Sequence, residues 1–86
     1  MISNMKNNMR AGDLVLIQNQ AQNWIIIYFQ NPYNDFNNGF ATSGSIKSNS
    51  IGVLLEDYDL KDFFAQVFVC GCVYWISTSV IHSYEK

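Results

Sequence analysis

Charged residues are scarce in this sequence. Only 14% of the 86 residues are Asp, Glu, Lys or Arg, about half the usual share of ~25%. Apolar residues make up 49% and aromatic residues 15%, which is not the composition of a disordered segment. Because few charges remain to cover the exterior, we expect part of the surface to lie against other protein subunits or another copy of the chain. The alternative is that the aromatic rings fill a tightly curved small barrel.

Positive charge is the scarcer kind, with five basic residues against seven acidic ones. Binding of nucleic acid without sequence preference needs a dense positive surface. Only Lys6 and Arg10 lie close together in the sequence, while Lys47, Lys61 and Lys86 are scattered. The composition therefore argues against a nucleic-acid partner.

Long apolar runs are absent as well. The longest, residues 24–29, is far short of the ~20 residues that a helix needs to span a bilayer. The first ten residues lack the apolar segment of a signal peptide. We therefore expect no membrane partner and a reducing compartment, in which Cys70 and Cys72 remain thiols.

Residues typical of catalytic and metal sites are few. His82 is the only histidine, and its spacing from Ser and Cys residues implies no activated nucleophile. With Cys70 and Cys72 it supplies at most three of the four ligands of a structural zinc site, and redox pairs are more often spaced Cys-x-x-Cys. We expect no catalytic residue, metal or cofactor, and we expect both thiols to be buried or half-buried as small apolar side chains.

An acidic segment, residues 56–62, contains Glu56, Asp57, Asp59 and Asp62. It is not a calcium loop of the EF-hand type, because that loop has glycine at its sixth position, and from Asp57 this position is Asp62. We interpret it as a solvated turn that can contact a basic partner.

What the chain has in quantity is short runs of β-branched and aromatic residues, bounded by turn residues. The runs are residues 14–17, 24–29, 51–56, 64–70, 72–76 and 80–84. They predict an all-β domain over residues 12–86, with five or six short antiparallel strands in a closed or nearly closed barrel, since closure removes exposed edges. Residues 1–11 are predicted to be a flexible tail, or an arm that orders on a partner.

Residues 30–50 differ from the rest of the chain. Asn, Gly and Ser dominate, and the only proline lies here, so we predict a long loop with little regular structure. A loop of this length in a small domain is often functional. Its rings, Tyr33, Phe36 and Phe40, either pin the loop to the barrel or form an exposed contact surface, and the sequence leaves both readings open.

Residues 64–76 predict a β-hairpin that turns at Cys70-Gly71. The register would pair Val69 with Cys72, Val67 with Tyr74 and Ala65 with Ile76 on one face, and Phe68 with Val73 and Gln66 with Trp75 on the other. Both faces are apolar, so the face outside the core needs a cover from the loop or from another subunit. Cys70 is unfavourable in a type I′ turn, and the alternative is a longer loop with a slipped register.

Several stretches resemble small SH3-like barrel proteins, many of which are encoded by tailed bacteriophages. They are Gly-Asp-Leu-Val at 12–15, Ile-Gly-Val-Leu-Leu-Glu at 51–56, Ala-x-Val-x-Val at 65–69, Tyr-Trp-Ile-Ser at 74–77 and Ser-Val-Ile at 79–81. The resemblance covers about residues 11–84 except the 30–50 loop, and it implies a 3₁₀ turn before the last strand. The aromatic and acidic run of peptide-binding SH3 domains is absent from that loop, which argues against recognition of proline-rich peptides.

We therefore expect a non-enzymatic protein–protein interaction or structural module. The resemblance implies a minor structural component of a phage virion, found in the host cytoplasm during expression and in the particle. Candidate partner-binding residues are the aromatic residues Trp24, Tyr33, Phe36, Phe40, Tyr58 and Trp75. Trp24, Tyr58 and Trp75 either line an aromatic cage for methylated lysine, as in Tudor-type barrels, or pack in the core or at its rim.

The alternative function is a nucleic-acid-binding SH3-like barrel. Its exposed aromatic rings would stack on bases, and Lys6 and Arg10 would contact phosphates.

Overall fold

The computed structural model describes residues 9–32, 43–59 and 61–84. The strands are β1 (Leu14–Ile17), β2 (Trp24–Tyr28), β3 (Ser43–Lys47), β4 (Ser50–Leu54), β5 (Phe64–Val69), β6 (Cys72–Ser77) and β7 (Ile81–Ser83), with a 3₁₀ helix at Thr78–Val80. They form one antiparallel sheet in the order β3-β2-β6-β5-β4-β1-β7. The all-β class is confirmed, and the finer SH3-like architecture stays a prediction.

Alternate residues of the strands form the core, as the period of two in a pleated strand requires. The buried apolar residues are Met9, Val15, Ile17, Ile25, Ile27, Ile46, Leu54, Ala65, Val67, Val69, Ile76 and Ile81. No polar or charged side chain is buried among the described residues, so this part of the core carries no desolvation cost for such groups.

The β5–β6 hairpin has the predicted register over its whole length, from Phe64 opposite Ser77 to Val69 opposite Cys72. Its turn has two residues, Cys70 at φ 55° and Gly71 at φ 82°, and the paired positive φ angles match a type I′ turn. The longer loop with a slipped register is therefore wrong. The pairing of the two strands imposes the left-handed conformation on Cys70.

The prediction of an irregular loop over residues 30–50 is wrong for its second half. Strand β3 pairs with β2 from Trp24 opposite Lys47 to Tyr28 opposite Ser43, and β4 begins at Ser50. The sequence of β3, SGSIK, has little intrinsic strand preference, but pairing with β2 and burial of Ile46 outweigh it. Tyr33, Phe36 and Phe40 lie outside the described residues.

Residues 9–11 of the predicted tail contact the domain, and residues 1–8 lie outside the described part. Met9 is 5% exposed and belongs to the core. Its N–H donates to the carbonyl of Tyr58 at 2.8 Å, and the N–H of Tyr58 donates back at 2.9 Å. This bridge holds the chain before β1 against the acidic turn.

The 3₁₀ helix Thr78–Val80 joins β6 to β7, at the place where the resemblance implies such a turn. The Ser77 hydroxyl accepts a hydrogen bond from the N–H of Ser79 at its start. After it, β7 pairs with β1, which also pairs with β4 on its other side. The last predicted strand is therefore present, although shorter than residues 80–84.

Candidate functional site

An exposed apolar row crosses the outer face of the sheet. The register places Leu14 opposite Val53, Val53 opposite Phe68, and Phe68 opposite Val73, so these side chains follow one another across β1, β4, β5 and β6. Leu14, Phe68 and Val73 are 45%, 46% and 47% exposed. The next outward pair on β1 and β4 adds Leu16 and Ile51, and we call these six residues the outer strip.

A cleft with apolar walls opens beside β2. It has a volume of about 280 Å³ and lies between β2, the start of β5 and the 3₁₀ helix. We call it the aromatic cleft; its apolar walls include Trp24, Ile26, Tyr28, Phe64 and Val80. The rings of Tyr28 and Phe64 meet edge to face, with centroids 5.5 Å apart, a favourable arrangement for aromatic pairs.

Trp75 connects the outer strip to the aromatic cleft. It lies on β6 opposite Gln66 of β5 and also opposite Tyr28 of β2, two residues along the same face from Val73. The strip and the cleft are thus parts of one outer face. Of the predicted partner-binding residues, the fold brings Trp24 and Trp75 to this face.

Tyr58 lies elsewhere. It is half-buried against the core and lines a pocket of about 240 Å³ with Met9, Arg10 and three aspartates of the acidic turn. Burial raises the pKa of Tyr58 to about 12. Trp24 and Tyr58 line separate pockets, so these two rings do not meet in one cage.

The outer face carries the functional argument for this chain. No protein-family model, curated protein or solved structure matches the chain. The SH3-like and phage-related assignments therefore stay predictions, and any inference about function rests on the exposed side chains themselves.

The carboxylates of the acidic turn bind backbone N–H groups. Asp57 accepts a hydrogen bond from Ala11 at 2.8 Å, Asp59 from Lys61 at 2.8 Å, Asp62 from Asp59 at 3.1 Å and Glu56 from Gln66 at 2.8 Å. These bonds shape the turn and join it to the segment before β1 and to β5. Within the three described ranges, no group of three or more His, Cys, Asp or Glu side chains is arranged to hold a metal ion.

Arg10 is in an acidic setting. It lines the Tyr58 pocket together with Asp57, Asp59 and Asp62, and its backbone N–H donates to the carboxylate of Asp13 at 3.0 Å. Neighbouring carboxylates repel a phosphate, so this position is unfavourable for the nucleic-acid contact predicted for Arg10. Lys6 lies outside the described residues.

The prediction that the two thiols are buried or half-buried is wrong. Cys70 and Cys72 are both exposed and free, because Cys70 occupies the turn and Cys72 follows it directly, at the tip of the hairpin. His82 is also exposed, and its Nε2 lies 3.0 Å from the carbonyl oxygen of Gln18. In the described part of the chain, no helix is long and apolar enough to cross a membrane.

Sequence reasoning missed the aliphatic part of the outer face. The predicted partner-binding residues are all aromatic, whereas Leu14, Ile51 and Val73 are aliphatic residues of strands. The sequence does indicate such a surface, because both faces of the β5–β6 hairpin are apolar and only one of them can face the core. Deciding which face is exposed required the packing of β5 on the core.

Proposed function

We propose that this chain is a non-enzymatic protein-interaction module that binds a partner protein on the outer face of its sheet. The observation that carries the proposal is the continuity of exposed apolar side chains from Leu14 on β1 to Trp24 on β2, which are 45% and 54% exposed. Large contiguous apolar patches on soluble proteins mark interaction sites far more often than chance placement does.

The composition of the face fits a protein partner. Among the residues that the structure describes, no charged one lines the aromatic cleft, whose polar members are Asn19, Gln22 and Ser77. Interface centres are depleted of charge and enriched in aromatic residues, with polar groups at the rim. The aromatic cleft would receive an anchoring side chain of the partner, and the outer strip would extend the contact beyond it.

The resemblance to small phage-encoded barrels supports a narrower form of the proposal. In that form the chain is a minor structural component of a virion, and its partner is another virion protein. Mass spectrometry of purified particles from the phage that encodes the chain tests this form, which predicts the chain in the particle at a constant ratio to the capsid subunit.

The test of the general proposal compares the chain with a Phe68→Ser/Val73→Thr variant, which removes apolar surface from the centre of the outer strip. Each protein is immobilised and exposed to extract from cells in which the chain is naturally made, and retained proteins are quantified by mass spectrometry. A retained partner is then purified and its affinity for each protein is measured. We expect it to bind the variant about tenfold or more weakly than the natural chain, as at interface hot spots.

Phe63→Ser is the matched control, because Phe63 is 71% exposed and lies outside the outer strip and the aromatic cleft. It should bind the partner as the natural chain does. Size-exclusion chromatography with light scattering shows whether the partner is a second copy. A monomeric chain with equal retention by all three proteins would contradict the proposal.

A further inference from the structure

The tip of the β5–β6 hairpin carries two exposed thiols separated by one residue. Cys70 and Cys72 are free cysteines on either side of Gly71. This tip is the turn of the hairpin, and neither thiol lines the aromatic cleft or belongs to the outer strip. The pair has no part in the function proposed above.

The backbone brings the two cysteines within reach of one another. Two residues separated by one other lie at most ~7 Å apart between Cα atoms even when fully extended. The left-handed turn at Cys70 and Gly71, with φ of 55° and 82°, shortens that distance towards the range of about 4.4–6.8 Å found in disulfides. A cysteine where Asn or Gly is usual is also a conformational outlier of the kind that accompanies function.

Tyr74 provides a polar contact for this pair. It follows Cys72 by two residues on β6, so the two side chains lie on the same face of the strand. Hydrogen bonding with Cys72, burial, and the negative charge of the Cys72 and Cys70 thiolates raise the pKa of the Tyr74 phenol. The protonated phenol is therefore placed to interact with Cys72 in its reduced form.

We propose that Cys70 and Cys72 form a reversible intramolecular disulfide by exchange with a low-molecular-weight disulfide of the glutathione class. The Cys70 thiolate attacks one sulfur of the oxidised glutathione and releases the first glutathione thiolate. The Cys72 thiolate then attacks the Cys70 sulfur of the mixed disulfide and releases the second. The two cysteines lose two electrons to the glutathione disulfide, and their two protons pass to the two released thiolates.

The test uses the full chain, reduced and then equilibrated with mixtures of reduced and oxidised glutathione. Remaining thiols are blocked with iodoacetamide, and intact masses are measured. We expect a monomer lighter by two hydrogens, without alkylation and without a glutathione adduct. Cys70→Ser and Cys72→Ser are the matched controls, and each should accumulate one glutathione per chain because the resolving thiol is gone.

Tyr74→Phe tests the role of the phenol. Because the reduced form loses its interaction with the phenol, the equilibrium should shift towards the disulfide by about two- to tenfold at a given glutathione ratio. If the natural chain instead collects glutathione adducts or covalent dimers with no intramolecular disulfide, the proposal is wrong. It is also wrong if natural and single-cysteine chains give the same products.

Discussion

At the scale of single residues, Cys70 is the clearest conflict between local preference and fold. Its φ of 55° lies in the left-handed region, which costs a residue other than glycine roughly 1–2 kcal/mol. Asparagine tolerates this region and is favoured at the first position of a type I′ turn. The pairing of β5 with β6 outweighs the cost in the natural chain.

Cys70→Asn should therefore stabilise the protein, with a free energy of unfolding higher by about 0.5–1 kcal/mol. Urea unfolding under reducing conditions measures this change. Cys70→Ser is the control, since serine removes the thiol without gaining the asparagine preference, and it should leave stability nearly unchanged. Equal stability of the two variants would show that the turn is not strained.

The raised pKa of Tyr58 makes the stability of the fold depend on pH in the alkaline range. Burial raises its pKa from 10.0 to about 12 in the folded state, so the fold favours the protonated phenol. The resulting stabilisation is complete below pH ~10 and is lost as the pH rises through about 12, because the unfolded chain ionises first. Tyr58 is partly exposed, so solvent reduces the size of the effect.

We expect the natural chain to lose more stability than Tyr58→Phe between pH 9 and pH 12. Urea midpoints measured across this range provide the comparison, and each protein is compared with its own value at pH 8. Parallel curves for the two proteins would mean that the Tyr58 phenol does not contribute to the alkaline loss.

At the scale of elements, the contact between β4 and β5 depends on Gly52. A Cβ atom at this position would lie 2.7 Å from the Phe68 carbonyl oxygen and 2.8 Å from Val67 Cγ1. The first neighbour is backbone and cannot move without separating the strands. A glycine inside a strand is typical of such a close approach between two strands.

Gly52→Ala should lower the free energy of unfolding by about 1–3 kcal/mol, the usual range for overpacking. Thermal and urea unfolding measure the loss. Gly44→Ala in β3 is the matched control, because its nearest neighbour is the ring of Phe29 at 3.1 Å, a half-exposed side chain that can move aside. A loss for Gly44→Ala as large as that for Gly52→Ala would contradict this account.

The hairpin and β3 show which elements were predictable. The β5–β6 register follows from the sequence, because alternating apolar residues and a glycine turn are local signals. Strand β3 has only Ile46 as an apolar side chain, so its sequence resembles a loop. Its strand conformation comes from pairing with β2, a contact between segments that local composition does not encode.

At the scale of the whole molecule, neighbouring leucines at the end of β4 have opposite roles. Leu54 is fully buried in the shared core, whereas Leu55 is 42% exposed. A small domain has little stability to spare. The loss of one large core side chain should therefore affect the entire fold, while the same change one residue later should not.

Leu54→Ala should cost about 3–5 kcal/mol through lost burial and the cavity left behind. Leu55→Ala should cost well under ~1 kcal/mol. Circular dichroism during urea titration compares the two, and Leu54→Ala is expected to be largely unfolded at physiological temperature. Similar losses for both variants would show that the inward and outward faces are wrongly assigned.

The sequence by itself determined the all-β class, the positions of most strands and the register of the β5–β6 hairpin, because a period of two and turn residues are properties of short segments. Only the tertiary structure decided that Val67 and Val69 point into the core while Phe68 and Val73 face outward. It also decided that β3 is a strand, that Met9 is buried and that both thiols are exposed. These features depend on contacts between distant segments, and a strand that is apolar on both faces does not itself indicate which face the rest of the chain will cover.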